Sequence, residues 1–150
     1  MVSSIKKILV SFDGSEAAKK AIEMAKKCTN MDDEIILLTV IPAELVESSF
    51  TKMLLPTIDM AAMAKSGSFK EKAMETLSDV AKEFDSYVGK TNTAVESGDP
   101  ADEILLTAKK QDVDIIILGY KGYGKEGRFQ LGSVADKVVR YASSSVLIVR

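Results

Sequence analysis

Histidine is absent from the chain, and cysteine occurs once, at position 28. The first absence removes Ser-His-Asp and Cys-His hydrolysis, imidazole general bases and histidine-ligated metals from the available chemistry. The second removes any internal disulfide. Cys28, at the end of an apolar helical face, reads as a small core residue rather than a nucleophile. An excess of basic charge is missing too. Lys and Arg number 20 against 22 Asp and Glu, and the lysines are spread along the chain, so the electrostatic footprint of a nucleic-acid binder is lacking. No apolar run approaches the roughly 18 residues of a membrane span. The opening Met1-Val2-Ser3-Ser4 has no basic stretch leading into an apolar core. A cytoplasmic protein with neither a membrane nor a nucleic-acid partner is therefore expected.

What is present is a set of short aliphatic runs separated by amphipathic helical patterns. The 150 residues, 46% apolar and 28% charged, are of a size and composition usual for one domain, assigned to residues 1–150. Ile5 to Phe12 and Glu34 to Ile41 read as buried strands, with Pro42 closing the second. Between them Ala17, Ala18, Ala21, Ile22, Ala25 and Cys28 fall on one helical face, capped by Ser15 or Asp13. Phe69 to Val88 carries a second apolar stripe. Thr91 to Ser97 is a weaker, more exposed strand, and Asp99-Pro100 opens a third helix as cap and first residue. Residues 42–68, with two prolines and Met53, Met60 and Met63, form a long excursion read as cover for the sheet. This alternation calls for an α/β fold, a three-layer open parallel sheet with helices on both faces. Spacing alone leaves the strand order open.

The most informative stretch is GYKGYGKEGRFQLGSV, Gly119 to Val134, between the aliphatic strand Val113 to Leu118 and a helical pattern over 133–142. A strand that ends in glycines and leads into a helix opening on Gly-Ser offers converging backbone N–H groups to an anion. Three glycine patterns overlap there. Gly119, Gly124 and Lys125 give part of a P-loop, but Glu126 stands where Ser or Thr must hold magnesium. Gly122, Gly124 and Gly127 give G-x-G-x-x-G, but no helix begins at the third glycine and no ribose-binding acid follows. The third pattern is Gly119-x2-Gly122-x9-Gly132-Ser133.

That last spacing resembles the G-x2-G-x9-G-[S/T] signature of the universal stress protein family. The likeness runs the length of the chain, from Lys7-Ile8-Leu9-Val10 through Asp13 and Ser15-Glu16 to Val146-Leu147-Ile148-Val149. The resemblance implies a Rossmann-like five-stranded sheet of order 3-2-1-4-5 and a regulatory, stress-response homodimer paired through the C-terminal strand. It also implies binding of ATP or AMP, with magnesium carried by the nucleotide and Asp13 as its candidate ligand. By the same likeness Val10, Ser11, Phe12 and Asp13 lie beside adenine and ribose, with Val40 against the base. Leu118, Gly119, Lys121 and Gly122 follow the ribose and first phosphates, and Gly132, Ser133 and Val134 hold the outer ones. Of the nearby charges Lys121 and Arg128 are expected to reach the phosphates and Lys125 to stay solvated. Ala135 departs from the pattern, since many ATP-binding members carry a hydroxyl there. A weak ATPase or phosphotransfer enzyme on the same site is the alternative, opposed by the missing P-loop hydroxyl, and a nucleotide-free dimeric module is opposed by the intact signature.

Overall fold

The computed structural model describes residues 6–43, 68–122 and 130–150. Five strands, β1 (Lys7–Ser11), β2 (Glu34–Pro42), β3 (Lys90–Gly98), β4 (Ile115–Gly119) and β5 (Ser145–Val149), form one parallel sheet in the order β3-β2-β1-β4-β5. The described helices are α1 (Glu16–Cys28), α2 (Ser68–Lys82), α3 (Pro100–Lys110) and α4 (Ser133–Tyr141).

Because side chains alternate along a strand, each inner strand feeds two cores. Ile8, Val10, Ile35, Leu37 and Ile117 face α1 and α2, and meet Ala18, Ala21, Ile22, Ala25, Leu77 and Val80. Leu9, Ile36, Leu38, Ile116 and Leu118 face α3 and α4, and meet Ala101, Ile104, Ala108, Ala135 and Val138. Burying each such Leu or Ile contributes about 2 kcal/mol, so the unbroken aliphatic runs are what place β1, β2 and β4 inside. β3, with its alternation of polar residues, lies at one edge, and β5 at the other.

Two expectations need correction. The second helical stripe does not run unbroken to Val88: α2 stops at Lys82, and Phe84 and Val88 reach the core from a turn in which Phe84 N–H donates to Ala81 O and Val88 N–H to Phe84 O. Cys28 is exposed rather than buried, because it stands on the last turn of α1, beyond Ala25, where the helix leaves the sheet. Ile5 and the methionines of the 42–68 excursion lie outside the described residues.

The amino ends of the strands are closed by the chain's own carboxylates. Asp33, buried, accepts from the N–H groups of Lys6 and Asn30, and Asp114 accepts from the N–H of Lys7. The carboxyl ends of β1 and β4 lie side by side, and the chain leaves them for opposite faces, α1 on one and α4 on the other. Open α/β sheets form a crevice at such a reversal.

Candidate functional site

A cavity of about 480 Å³ occupies that crevice. Its apolar part comes from Val40, Ile41 and Pro42 at the end of β2, Phe69 from α2, Ile104 from α3 and Leu118 from β4. The end of β2 is tied to β1 there: Phe12 N–H donates to Leu38 O, and the Thr39 hydroxyl donates to Phe12 O at 2.8 Å.

The polar part is assembled by close approach of the turn after β1 and the two ends of the connection from β4 to α4. After β1, Gly14 takes φ 83°, a left-handed conformation natural to glycine, and the turn lets Asp13 Oδ1 accept from the Ser15 N–H at 2.9 Å. A Cβ on Gly122 would lie 2.7 Å from Asp13 Oδ2, so the loop after β4 passes directly over that carboxylate. A Cβ on Gly132 would lie 2.9 Å from Lys121 Cα and 3.0 Å from Tyr120 O, and Gly132 N–H donates to Tyr120 O at 2.7 Å. Asp13, Lys121, Gly122, Gly132 and Ser133 therefore form one patch. The Lys121 ammonium rests 5.3 Å from the centroid of the Tyr120 ring, and the backbone N–H of Tyr120 donates to Val149 O.

Besides α2, which reaches this cavity with Phe69, three helices bring their amino ends to it, and they are finished differently. Ser15 Oγ accepts from Ala18 N–H and caps α1. Asp99 Oδ2 accepts from Asp102 N–H and caps α3, with Pro100 in the first turn. At α4 the cap is Gly132, which has no side chain to offer, and Ser133, Val134 and Ala135, the first residues of the helix, line the cavity; the first N–H groups of a helix have no partner within it.

Beside α3 the hydrogen bond from Asp102 N–H, then that from the Lys137 ammonium, hold the Asp99 carboxyl below its usual range. Lys137, bonded to Asp102 and then to Asp99, is raised above the usual lysine range.

Of the residues singled out from the sequence, Ser11, Phe12, Asp13, Val40, Leu118, Gly119, Lys121, Gly122, Gly132, Ser133 and Val134 all line the cavity. Val10 does not. It is fully buried in the core under α1, one pleat short of the strand end. Arg128 and Lys125 lie outside the described residues. Gly119 lines the cavity, yet its missing side chain faces elsewhere: a Cβ there would lie 2.6 Å from Ala17 Cβ and 2.8 Å from its carbonyl carbon, so this glycine admits α1 against β4. No group of three or more Cys, Asp or Glu placed to hold a metal occurs among the described residues, so a magnesium ion here would depend on ligand phosphates with Asp13 as a single carboxylate.

The sequence pattern of the universal stress protein family matches residues 4–150. The chain belongs to the universal stress protein family. Its relatives include universal stress proteins MJ0531 and MJ0577 of Methanocaldococcus jannaschii. MJ0531 is 33% identical, over 97% of this chain and 82% of its own; MJ0577 is 30% identical, over 97% and 94%. The solved structure of MJ0577 superimposes with a TM-score of 0.79 at 29% identity, covering 98% of this chain and 96% of that one. More distant universal stress proteins share the fold. One was solved in complex with cAMP (TM-score 0.60, 21% identity, 99% and 98% covered), and one from Arabidopsis thaliana with AMP bound (0.61, 18%, 96% and 90%).

Sequence reading of this universal stress protein missed part of the apolar wall. Ile41, Phe69 and Ile104 belong to patterns that read simply as core, and only the tertiary fold shows that each ends at the cavity. Phe69 had a weak signal in its position at the start of a helical stripe, ahead of the buried Leu77 and Val80.

Proposed function

We propose that this universal stress protein is an adenine-nucleotide-binding regulator taking ATP or AMP in the cavity between β1 and β4. The observation that carries the reading is the amino end of α4, which enters the cavity with no side-chain cap while Ser133 and Lys121 stand beside it. Uncapped N–H groups and the helix dipole favour an anion there. The base lies among Val40, Ile41, Phe69 and Leu118, the ribose hydroxyls bond Asp13, and the phosphates bond the first turn of α4, the Ser133 hydroxyl, Lys121 and, with ATP, Arg128. Ala135 offers no hydroxyl, which favours the shorter nucleotide over one that needs a further donor. That two proteins of this fold hold AMP or cAMP supports a pocket of adenine-nucleotide size.

The reading extends to one cytoplasmic domain, paired as a homodimer through β5. That strand is paired with β4 alone among the described strands. Val149 O accepts from Tyr120 N–H on the β4 side, so by alternation the N–H of Ile148 points outward to a second copy. Among the described residues no helix is long and apolar enough to cross a membrane. Ile148→Pro should convert a dimer to a monomer by light scattering, whereas a parent protein monomeric at high micromolar concentration excludes the pairing.

Isothermal titration with ATP, AMP, cAMP and adenosine tests the binding itself. Saturable binding of ATP or AMP, tighter than adenosine, is expected. Absence of saturation with all of them up to millimolar concentration would sink the nucleotide reading.

A further inference from the structure

Among the described residues the ion pairs are of two kinds: some lie within one helix, as Lys19–Glu16, Lys82–Asp79 and Arg140–Asp136 do, and others join elements, as Lys6–Asp33, Lys26–Glu83 and Lys90–Glu34 do. The pair that touches the cavity walls is made by Lys137. Its ammonium lies 2.7 Å from Asp102 Oδ1 and 3.3 Å from Asp99 Oδ2, so one side chain of α4 grips both the cap and the first turn of α3. The same two first turns form adjoining walls of the cavity, α3 through Pro100 and Ile104 and α4 through Ser133, Val134 and Ala135. Lys137 itself does not line it.

We infer that Lys137 is a positioning residue for the anion end of the cavity, fixing the first turn of α4 against α3 and balancing the carboxylates of Asp99 and Asp102. The inference rests on the nucleotide reading above.

α4 has few other anchors. It is nine residues long, and of these only Ala135 and Val138 are buried, while Val139 and Tyr141 are exposed. Its amino end is held to the loop after β4 by Gly132 N–H to Tyr120 O, and its flank is held to α3 by the Lys137 bridge. With the bridge gone, the N–H groups of Ser133 to Ala135 lose one of the restraints that aim them. Two carboxylates then stand uncompensated beside Pro100 at the wall of a site for a phosphate. The three side chains are half exposed, at 40%, 53% and 61%, and exposed pairs of this kind add little to global stability. Aim and charge can therefore fail while the fold survives.

The test compares Lys137→Met, which keeps the apolar stem, with Lys137→Arg, which keeps the charge. Melting and circular dichroism of both should match the parent. By titration, Lys137→Met should bind AMP about three- to tenfold more weakly, as expected of a residue acting through its neighbours. Its adenosine affinity should stay within about twofold, and Lys137→Arg should restore AMP binding to about the same margin. Should Lys137→Met fail to fold, Asp102→Asn breaks the same bridge from the α3 side and should show the same selective loss. Undiminished AMP binding, or equal losses for AMP and adenosine, overturns the inference while leaving the nucleotide reading intact. If the parent binds no nucleotide, that reading fails, and backbone NMR order parameters at Ser133 to Ala135 in the free protein decide the positioning role. Lower order parameters in Lys137→Met than in the parent uphold the role, and unchanged ones refute it.

Discussion

The amino ends of α3 and α4 lie next to each other on one face of the same sheet, and the chain completes one and leaves the other open. α3 begins with an aspartate cap, a proline in its first turn, two further acids and a lysine reaching across to them. α4 begins with a glycine that supplies no cap, and its exposed first residue, Ser133, faces a cavity. Both helices carry the same backbone charge at this end, and the cost of leaving N–H groups unpaired applies to both. The difference is that a side-chain acceptor for α3 is encoded in the chain and none is provided for α4. A side chain at position 132 would collide with Lys121 and Tyr120, so the openness of α4 is enforced by packing as well as by the choice of residue.

The comparison can be broken most severely at that glycine. Gly132→Val places a branched side chain 2.9 Å from Lys121 Cα at the first atom, and the loop or the helix must move. Overpacking of this kind should cost about 2–3 kcal/mol in urea unfolding, with AMP binding abolished in whatever remains folded. Asp99→Ala attacks the closed helix instead. Loss of the cap should lower stability by about 1–2 kcal/mol, measured by the same unfolding curves. Ser133→Ala tests the open helix gently: one lost hydrogen bond should weaken AMP by about 1 kcal/mol, leaving stability within about 0.5 kcal/mol of the parent. An Asp99-like loss of stability in Ser133→Ala would mean that the hydroxyl is structural.

The smallest expected effect is on pH. Because the Asp99 carboxyl is held below its ordinary value of 3.8, first by the Asp102 N–H and then by Lys137, its contribution is complete above that pH. It is lost as pH falls through the depressed value. An acid titration of stability should show a component below about pH 4 that Asp99→Asn lacks; superimposable curves would show that the cap carries no such linkage.

The architecture was legible because burial on two faces leaves an unmistakable mark: Ile35 to Leu38 and Ile115 to Leu118 admit few readings other than inner parallel strands. The caps were legible for the same local reason, Asp99 before Pro100 and Ser15 before Glu16. Tertiary contacts were not. Gly119 carries the signature spacing, but its neighbour is Ala17, a residue 102 positions earlier in the chain by the numbering, and nothing local announces that approach. Val10 adjoins cavity residues in sequence, yet the pleat turns it into the core beneath α1. Lys137 carries no local mark either, since its partners Asp99 and Asp102 belong to α3, more than 30 residues away in the sequence.

The central claim is that an external phosphate completes α4 as Asp99 completes α3. Its most direct test is a titration with AMP followed at the backbone amides by NMR, with adenosine as the control. The account requires large, saturable shifts at Ser133, Val134 and Ala135 with AMP, much smaller ones with adenosine, and little change at Asp102 and Glu103. Shifts that are equal for AMP and adenosine, or absent from the first turn of α4 while binding saturates, would contradict it.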